Sequence, residues 1–445
     1  VDIMSESQQQ NNRDNPVSGF DPEIDDLLEE AGALYDAGKL EESIAGCRRA
    51  IERRPGLVPA HVLLSRALRA LGEYTAAVRS GREALALAPD DTDAHEVLGR
   101  ALAQTGMAEE GLTILRCATE IAADRARTWV ALGELELNMG RFKDAEATLR
   151  RAIGIEPENA DAYMHLSWVL RRLGRADEAS EAGRAAVACG PSPLAYNYLS
   201  FSLLANDEFQ AALDSCDAGL ELDPQNTSGL AYKVSALDGV GRRDDGRALA
   251  DIERFLTSVN VDGARGFASI ADFNAALTQH VLAFPTRPGD KTQTLDLMLK
   301  PAGPIPAFKE LIDAVVTQYL SRLPDDPGHP YLAYKPKRWR IHAWGTRLRS
   351  TDVAEHHYHQ HAWVSGVYYA RVPAALNSAR DGFPGWIEFC RFQQYSERPV
   401  ESEFMVIRPE EGLMVLFPAY LYHRVVPFEG TDWRVSLAFN IIPNE

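Results

Sequence analysis

The stretch ARTWVALGELELNMGRFKDAEATLRRAIGIEPEN, residues 126–159, is one copy of a text that recurs along the first half of the chain. Pro55, Pro89, Pro157 and Pro191 stand in a 34-residue frame whose middle position is Ala123, and Pro224 follows after 33. Within the copy, Trp129, Leu132 and Gly133 sit early, Ala145 and Ala152 later, and Pro157 closes it. The preceding copy has Gly99 and Ala118, and the following one has Tyr163, Leu166, Ala179 and Ala186. Small residues at these places let two helices of a hairpin approach closely, and the proline ends the second helix. One such hairpin cannot bury its apolar face alone, so neighbours must stack.

This period and its small-residue pattern resemble the tetratricopeptide repeat. The likeness runs over residues 24–257, about seven units, the last of them (from Gly229) weak. It implies an all-α superhelix with a concave groove, most of its Tyr, Trp and Ala residues buried between hairpins. Repeats of this kind usually hold peptide segments or other proteins, so the expected partner is a protein or peptide.

The rest of the composition sets limits. With 45% hydrophobic and 25% charged residues over 445 positions, the chain reads as a globular protein of two or three domains. A formal net charge of −18 argues against nucleic-acid binding, which needs clustered Lys and Arg. No run of residues is long and apolar enough for a membrane span. Five scattered cysteines without a CxxC pair suit reduced thiols, giving a cytoplasmic expectation. Residues 1–23 read as a disordered leader without signal-peptide character.

After about residue 258 the repeat stops. Residues 258–284 and 306–323 read as helices. From Arg338 the texture alternates and turns aromatic: RWRIHAWGTRLRS, SGVYYARVP, GWIEFCRF, FMVIRPEEGLMVLFPAYLYH and WRVSLAFNIIP are strand candidates. Helices first and strands after fit a jelly roll buttressed by helices over residues 259–445. The fold class is therefore multidomain α + β, an all-α repeat solenoid of residues 24–258 followed by that domain.

The segment EHHYHQHAWVSGVYYARVP, residues 355–373, concentrates a scarce residue, since the chain has 11 histidines. On a strand, His357, His359 and His361 would share one face. Two of them could chelate one ion with a third ligand from a distant strand, as in the facial sites of non-haem Fe(II) oxygenases. His423, closing an apolar run, supplies a remote imidazole. Arg434 follows eleven residues later with Ser436 two beyond it, a pairing suited to holding the distal end of a dicarboxylate. His356, out of phase, is expected to face solvent.

Four ordered motifs, HYH, SGVYYARVP, GLMVLFPAYLYH and RVSLAFN, resemble a bacterial and phage branch of the Fe(II)/2-oxoglutarate-dependent oxygenases of the double-stranded β-helix (jelly-roll, cupin-like) fold. KTQTLDLM and RWRIHAWG upstream are similar to that branch too. The resemblance implies Fe(II) held by His357, His359 and His423, with His359/His361 as the alternative register. It implies 2-oxoglutarate held by Arg434 and Ser436 with Tyr369, O2 as cosubstrate, and substrate contacts from His361 and Asn440. The usual carboxylate ligand is replaced by histidine here. The activity implied is hydroxylation of a protein or peptide side chain recruited by the repeats. Two other readings stay open at this level: a repeat scaffold carrying an inactive barrel, and a three-histidine metal cupin dioxygenase that uses no 2-oxoglutarate.

Overall fold

A computed structural model of the chain describes residues 22–287, 290–299, 301–349, 352, 354–377, 382–389 and 405–444. The expected leader, apart from its last two residues, and Cys390 with the end of GWIEFCRF lie outside the described residues. The chain forms two compact units, Val1–Met139 and Gly140–Glu445.

In the first unit, hairpins pair Pro22–Asp36 with Leu40–Arg53, Val58–Leu71 with Tyr74–Leu87, and Thr92–Ala103 with Ala108–Ile121, followed by helix Ala126–Asn138. The second unit opens with helix Phe142–Ile155. Its hairpins pair Ala160–Arg172 with Ala176–Cys189, Pro193–Ala205 with Phe209–Leu222, and Thr227–Gly239 with Arg243–Ala250. The helices stop where the periodicity says they should. Those ending at Arg53, Leu87, Ile155, Cys189 and Leu222 each finish two residues before the recurring proline, which cannot continue the ladder. Each following helix is capped when the sequence allows it: Asp91, Asn159, Ser192 and Asn226 accept from the backbone N–H three residues on. Ala145, Ala152, Ala179 and Ala186 are fully buried, as close helix approach requires. Hairpin turns need a left-handed residue, which is glycine at Gly72 (φ 87°) and is Asp207 (φ 56°) where the glycine is missing.

The first unit carries an internal ion ladder between successive hairpins. Asp93 pairs with Arg66, Arg125 and Arg127, while Glu96 pairs with Arg100 and Arg127. Glu96 is buried, so these pairs compensate a charge that burial alone would penalise.

The C-terminal half of the second unit is β-rich. Its strands are β1 Thr257–Asn260, β2 Trp339–Leu348, β3 Ala354–His357, β4 Val364–Arg371, β5 Ile387–Phe389, β6 Met405–Ile407, β7 Leu413–Pro418, β8 His423–Val425 and β9 Arg434–Pro443. They form a five-stranded sheet of order β1-β7-β4-β9-β2 and a four-stranded sheet of order β3-β8-β5-β6, with antiparallel pairing throughout. The sheets meet face to face through Phe389, Phe417 and His423, with ring centroids of Phe389 and Phe417 4.8 Å apart. Helices Ile270–Ala283 and Ile305–Arg322 cover the outer face of the large sheet. There Phe273 and Phe308 pack on Tyr368, and the Tyr368 hydroxyl donates to Asn274 Oδ1 at 2.5 Å. This is the multidomain α + β architecture expected from the sequence.

Two local expectations change. The span 258–284 is not one helix, because Thr257–Asn260 forms edge strand β1 against β7 before the helix starts at Ile270. The histidine segment is not one strand, because β3 stops at His357 and residues 358–363 belong to no strand. The four cysteines among the described residues are free. Among the described residues no helix is long and apolar enough to cross a membrane.

Gly366 of the SGVYY run faces Phe439 across the β4–β9 pair, and a Cβ there would meet that ring at 2.2 Å. Gly366→Ala is therefore expected to destabilise the sheet by about 1–3 kcal/mol through overpacking. A clear fall in the melting temperature would show it, and an unchanged melt would mean that Phe439 can move aside.

Candidate metal and cosubstrate site

Register explains how the site assembles. Directly opposite residues of a sheet share a face, as do alternate residues of a strand. Tyr369 lies opposite Ser436, Ser365 opposite Asn440, and His342 opposite Asn440 from the other side. Arg434, Ser436, Ala438 and Asn440 of β9 thus share the inner face with Ser365 and Tyr369 of β4 and His342, Trp344 and Thr346 of β2. The small sheet faces them with His357 ending β3 and His423 opening β8, which are register partners.

His359 joins these two although it lies beyond the strand. Its backbone N–H donates to Ala419 O at 2.9 Å, and its ring packs 5.6 Å from Trp344. One nitrogen from each of His357, His359 and His423 falls within 4.8 Å of the others. Nε2 of His359 and Nε2 of His423 are 3.3 Å apart. His423 Nδ1 lies 3.0 Å from Leu421 O. A carbonyl only accepts, so Nδ1 carries the proton and Nε2 keeps its lone pair toward the cluster. Three converging imidazoles form a donor set for a borderline divalent cation. His361 sits in an exposed turn and is not in this cluster.

Burial, then the neighbouring His357, holds His423 well below the ordinary imidazole range. His359 is held low by burial first, then by His357, His342 and Arg287. Both rings are therefore neutral near pH 7, as ligation demands. The unfolded chain takes up these protons near pH 6.5 and the folded chain only at lower pH. Stability of the metal-free protein is thus present above pH 6.5 and declines as pH falls below it. Thermal melts between pH 7.5 and 5.5 check this. We expect a falling melting temperature in the wild type and a shallower fall in His423→Gln.

Arg434 is 1% exposed, with its guanidinium carbon 5.0 Å from the centroid of the Tyr369 ring and one N–H donating to Ser436 Oγ at 3.3 Å. The Tyr369 hydroxyl and the Arg434 guanidinium interact with each other, Arg434 Nε has no acceptor in hydrogen-bonding geometry, and among the described residues no carboxylate pairs with the guanidinium. Burial pulls the Arg434 pKa down, and burial pushes the Tyr369 phenol up against the opposing pull of Arg434. An unsatisfied buried donor on a cation calls for an anionic acceptor.

Asn440 Oδ1 accepts from Ser365 Oγ at 2.8 Å, and its Nδ2 lies 3.5 Å from His359 Nδ1. Sequence reasoning missed His342, Trp344, Arg287 and Asp296. His342 Nε2 is 4.0 Å from Asp296 Oδ2, and the Arg287 guanidinium stacks over Trp344 at 5.3 Å. The alternation of RWRIHAWG puts His342 and Trp344 on one face, but only the β2–β9 register shows that this face is the inner one.

Comparison with known proteins gives two family matches. Residues 342–440 match the family described as "Putative 2OG-Fe(II) oxygenase". Residues 62–126 and 130–193 match the tetratricopeptide repeat. No curated protein matches the chain. Among solved structures it is similar to PilF of Pseudomonas aeruginosa, at 19% identity over 44% of this chain and 90% of that one, TM-score 0.39. It is also similar to TTC0263, a thermophilic tetratricopeptide protein of Thermus thermophilus, at 20% identity over 51% and 99%, TM-score 0.31. A third is YrrB, described as having an unusual peptide-binding site, at 19% identity over 42% and 97%, TM-score 0.31. The chain carries tetratricopeptide repeats followed by a β-rich domain that matches the 2OG-Fe(II) oxygenase family model.

Proposed function

We propose that the chain is an Fe(II)- and 2-oxoglutarate-dependent dioxygenase that hydroxylates a side chain of a protein or peptide held by its repeats. The observation that carries this reading is the pairing of three convergent imidazoles, two on the small sheet and His359 just beyond it, with a buried Arg434 that has no carboxylate partner among the described residues, on the inner face of the large sheet. Residues 24–258 would recruit the substrate and residues 259–445 would carry the chemistry. Tetratricopeptide repeats generally mediate contacts between proteins, which fits a protein or peptide partner.

His357, His359 and His423 would hold the metal, and the Leu421 carbonyl keeps His423 in the tautomer that ligation needs. Fe(II) with 2-oxoglutarate supplies the activation of O2 and the oxidative decarboxylation that yields succinate. Arg434 would pair with the distal carboxylate of 2-oxoglutarate, with Ser436 and Tyr369 completing its hydrogen bonds. Three neutral ligands leave the charge of the ion uncompensated, and the dianionic cosubstrate would balance it. Phe389 and Phe417 pack against His423 and exclude water from that side. His361, exposed at the turn, and Asn440, beside His359, would face the substrate.

The all-histidine set also suits a cupin dioxygenase without 2-oxoglutarate. Arg434 speaks against it, since that chemistry has no use for a buried guanidinium aimed at a dicarboxylate. The test is capture of peptides or proteins by the Co(II)-loaded chain in the presence of 2-oxoglutarate. Iron and O2 are then restored and the captured chain is weighed. We expect a gain of one oxygen atom with stoichiometric succinate, whereas an unmodified chain and no succinate would reject the proposal.

A further inference from the structure

Tyr358 stands between two of the clustered histidines, and Tyr422 precedes the third. Where His357, His359 and His423 converge, these two tyrosines turn to each other instead, with ring centroids 4.9 Å apart and planes at 65°. The Tyr358 hydroxyl then reaches out of the β-rich part to a repeat helix, Thr227–Gly239. It lies 2.9 Å from Ser228 Oγ and 2.9 Å from Tyr232 Oη, so it can donate to one and accept from the other. Tyr232 is 5% exposed and its ring meets Tyr358 edge-on at 5.8 Å. Four residues after Tyr358, the Ala362 carbonyl accepts from Thr227 Oγ at 3.2 Å. The non-strand segment that carries His359 is therefore tied at both ends to one helix of the repeats.

That helix is itself braced by the repeats before it. Tyr232 packs on Phe201 at 5.5 Å, Phe201 stacks on Trp168 at 5.3 Å, and the Arg171 guanidinium lies over both of those rings. Buried hydroxyls with fixed partners and stacked rings have few rotamers to choose from, so they hold the backbone on either side of them. Strand pairing fixes His357 opposite His423, but His359 has no ladder of its own beyond one bond to Ala419 O.

We propose that Tyr358, through Tyr232 and Ser228, is a positioning residue that sets His359 against His357 and His423, making the repeat helix Thr227–Gly239 a structural part of the metal centre. The inference rests on the reading of these three histidines as ligands. Removing an outer support of a metal ligand typically costs about 10–100-fold in affinity. The test is Co(II) titration of the full chain, followed by visible absorption, for the wild type, Tyr358→Phe, Tyr232→Phe and the double variant, alongside thermal melts.

Each single variant should weaken Co(II) binding by about tenfold and alter the ligand-field spectrum, because the ring stays and only the hydroxyl contact goes. The double variant should be no weaker than Tyr358→Phe, since that variant already removes the contact that Tyr232→Phe removes, together with the one to Ser228. Tyr232→Phe is the more telling of the two, because Tyr232 is far from the ligands in sequence and meets the histidine segment through the Tyr358 hydroxyl. Co(II) affinity within threefold of wild type in either single variant, whatever the melts show, overturns the inference and leaves the metal assignment standing. Failure of the wild type to bind Co(II) overturns both.

Discussion

His423→Ala is expected to abolish specific binding of a divalent metal. His423 is 6% exposed, opens β8 opposite His357, and has its tautomer fixed by the Leu421 carbonyl. Among the described residues no other imidazole joins the cluster, and His361 lies outside it. Outer supports of a ligand contribute about 10–100-fold in affinity, so loss of the ligand itself should exceed roughly 100-fold. The ring also fills space against Phe417 and Phe389, and its removal leaves a cavity that costs about 2–4 kcal/mol. His423→Gln keeps most of that volume, so it separates lost ligation from lost packing. Co(II) titration of both variants is the measurement. Retention of wild-type affinity in both would remove His423 from the site.

Arg434→Met should act in the opposite sense on stability and function. A guanidinium that is 1% exposed and has no carboxylate partner among the described residues pays a desolvation penalty with little return. Replacing such a charge by an apolar side chain of similar volume is neutral or stabilising by about 1–4 kcal/mol. The variant should therefore melt at or above the wild-type temperature and keep its metal affinity. Its affinity for 2-oxoglutarate should fall by on the order of 100-fold or more, since breaking a buried charge-assisted pair costs about 2–5 kcal/mol. Calorimetric titration of the Co(II)-loaded variant with 2-oxoglutarate checks this. Binding within threefold of wild type would mean that the anion is held elsewhere.

Much of this was legible in the sequence because it is local or periodic. The prolines fix where repeat helices end, and strand alternation puts Arg434 beside Ser436 on one face. Gly366 is read from the strand only as a small residue, and its reason, the Phe439 ring opposite, needs the register. The histidine segment shows where local reasoning stops. Alternation treats residues 357–361 as strand, yet the chain leaves the sheet at Tyr358, whose hydroxyl finds Ser228 and Tyr232 about 130 residues earlier. No periodicity encodes such a contact. His423 likewise does not close the apolar strand before it, since β7 ends at Pro418 and β8 starts at His423 itself. Its place opposite His357 comes from the pairing of β3 with β8. His342 and Trp344 escaped notice for the same reason: their face is known, but which sheet face is inward depends on strand order.

The most direct test of the central claim is an anaerobic titration of the Fe(II)-loaded chain with 2-oxoglutarate, followed in the visible. Chelation of the metal by 2-oxoglutarate beside Arg434 predicts a weak metal-to-ligand charge-transfer band that saturates with one equivalent, is absent in His423→Ala, and needs far more 2-oxoglutarate in Arg434→Met. No band in the wild type at saturating Fe(II) and 2-oxoglutarate would contradict the account.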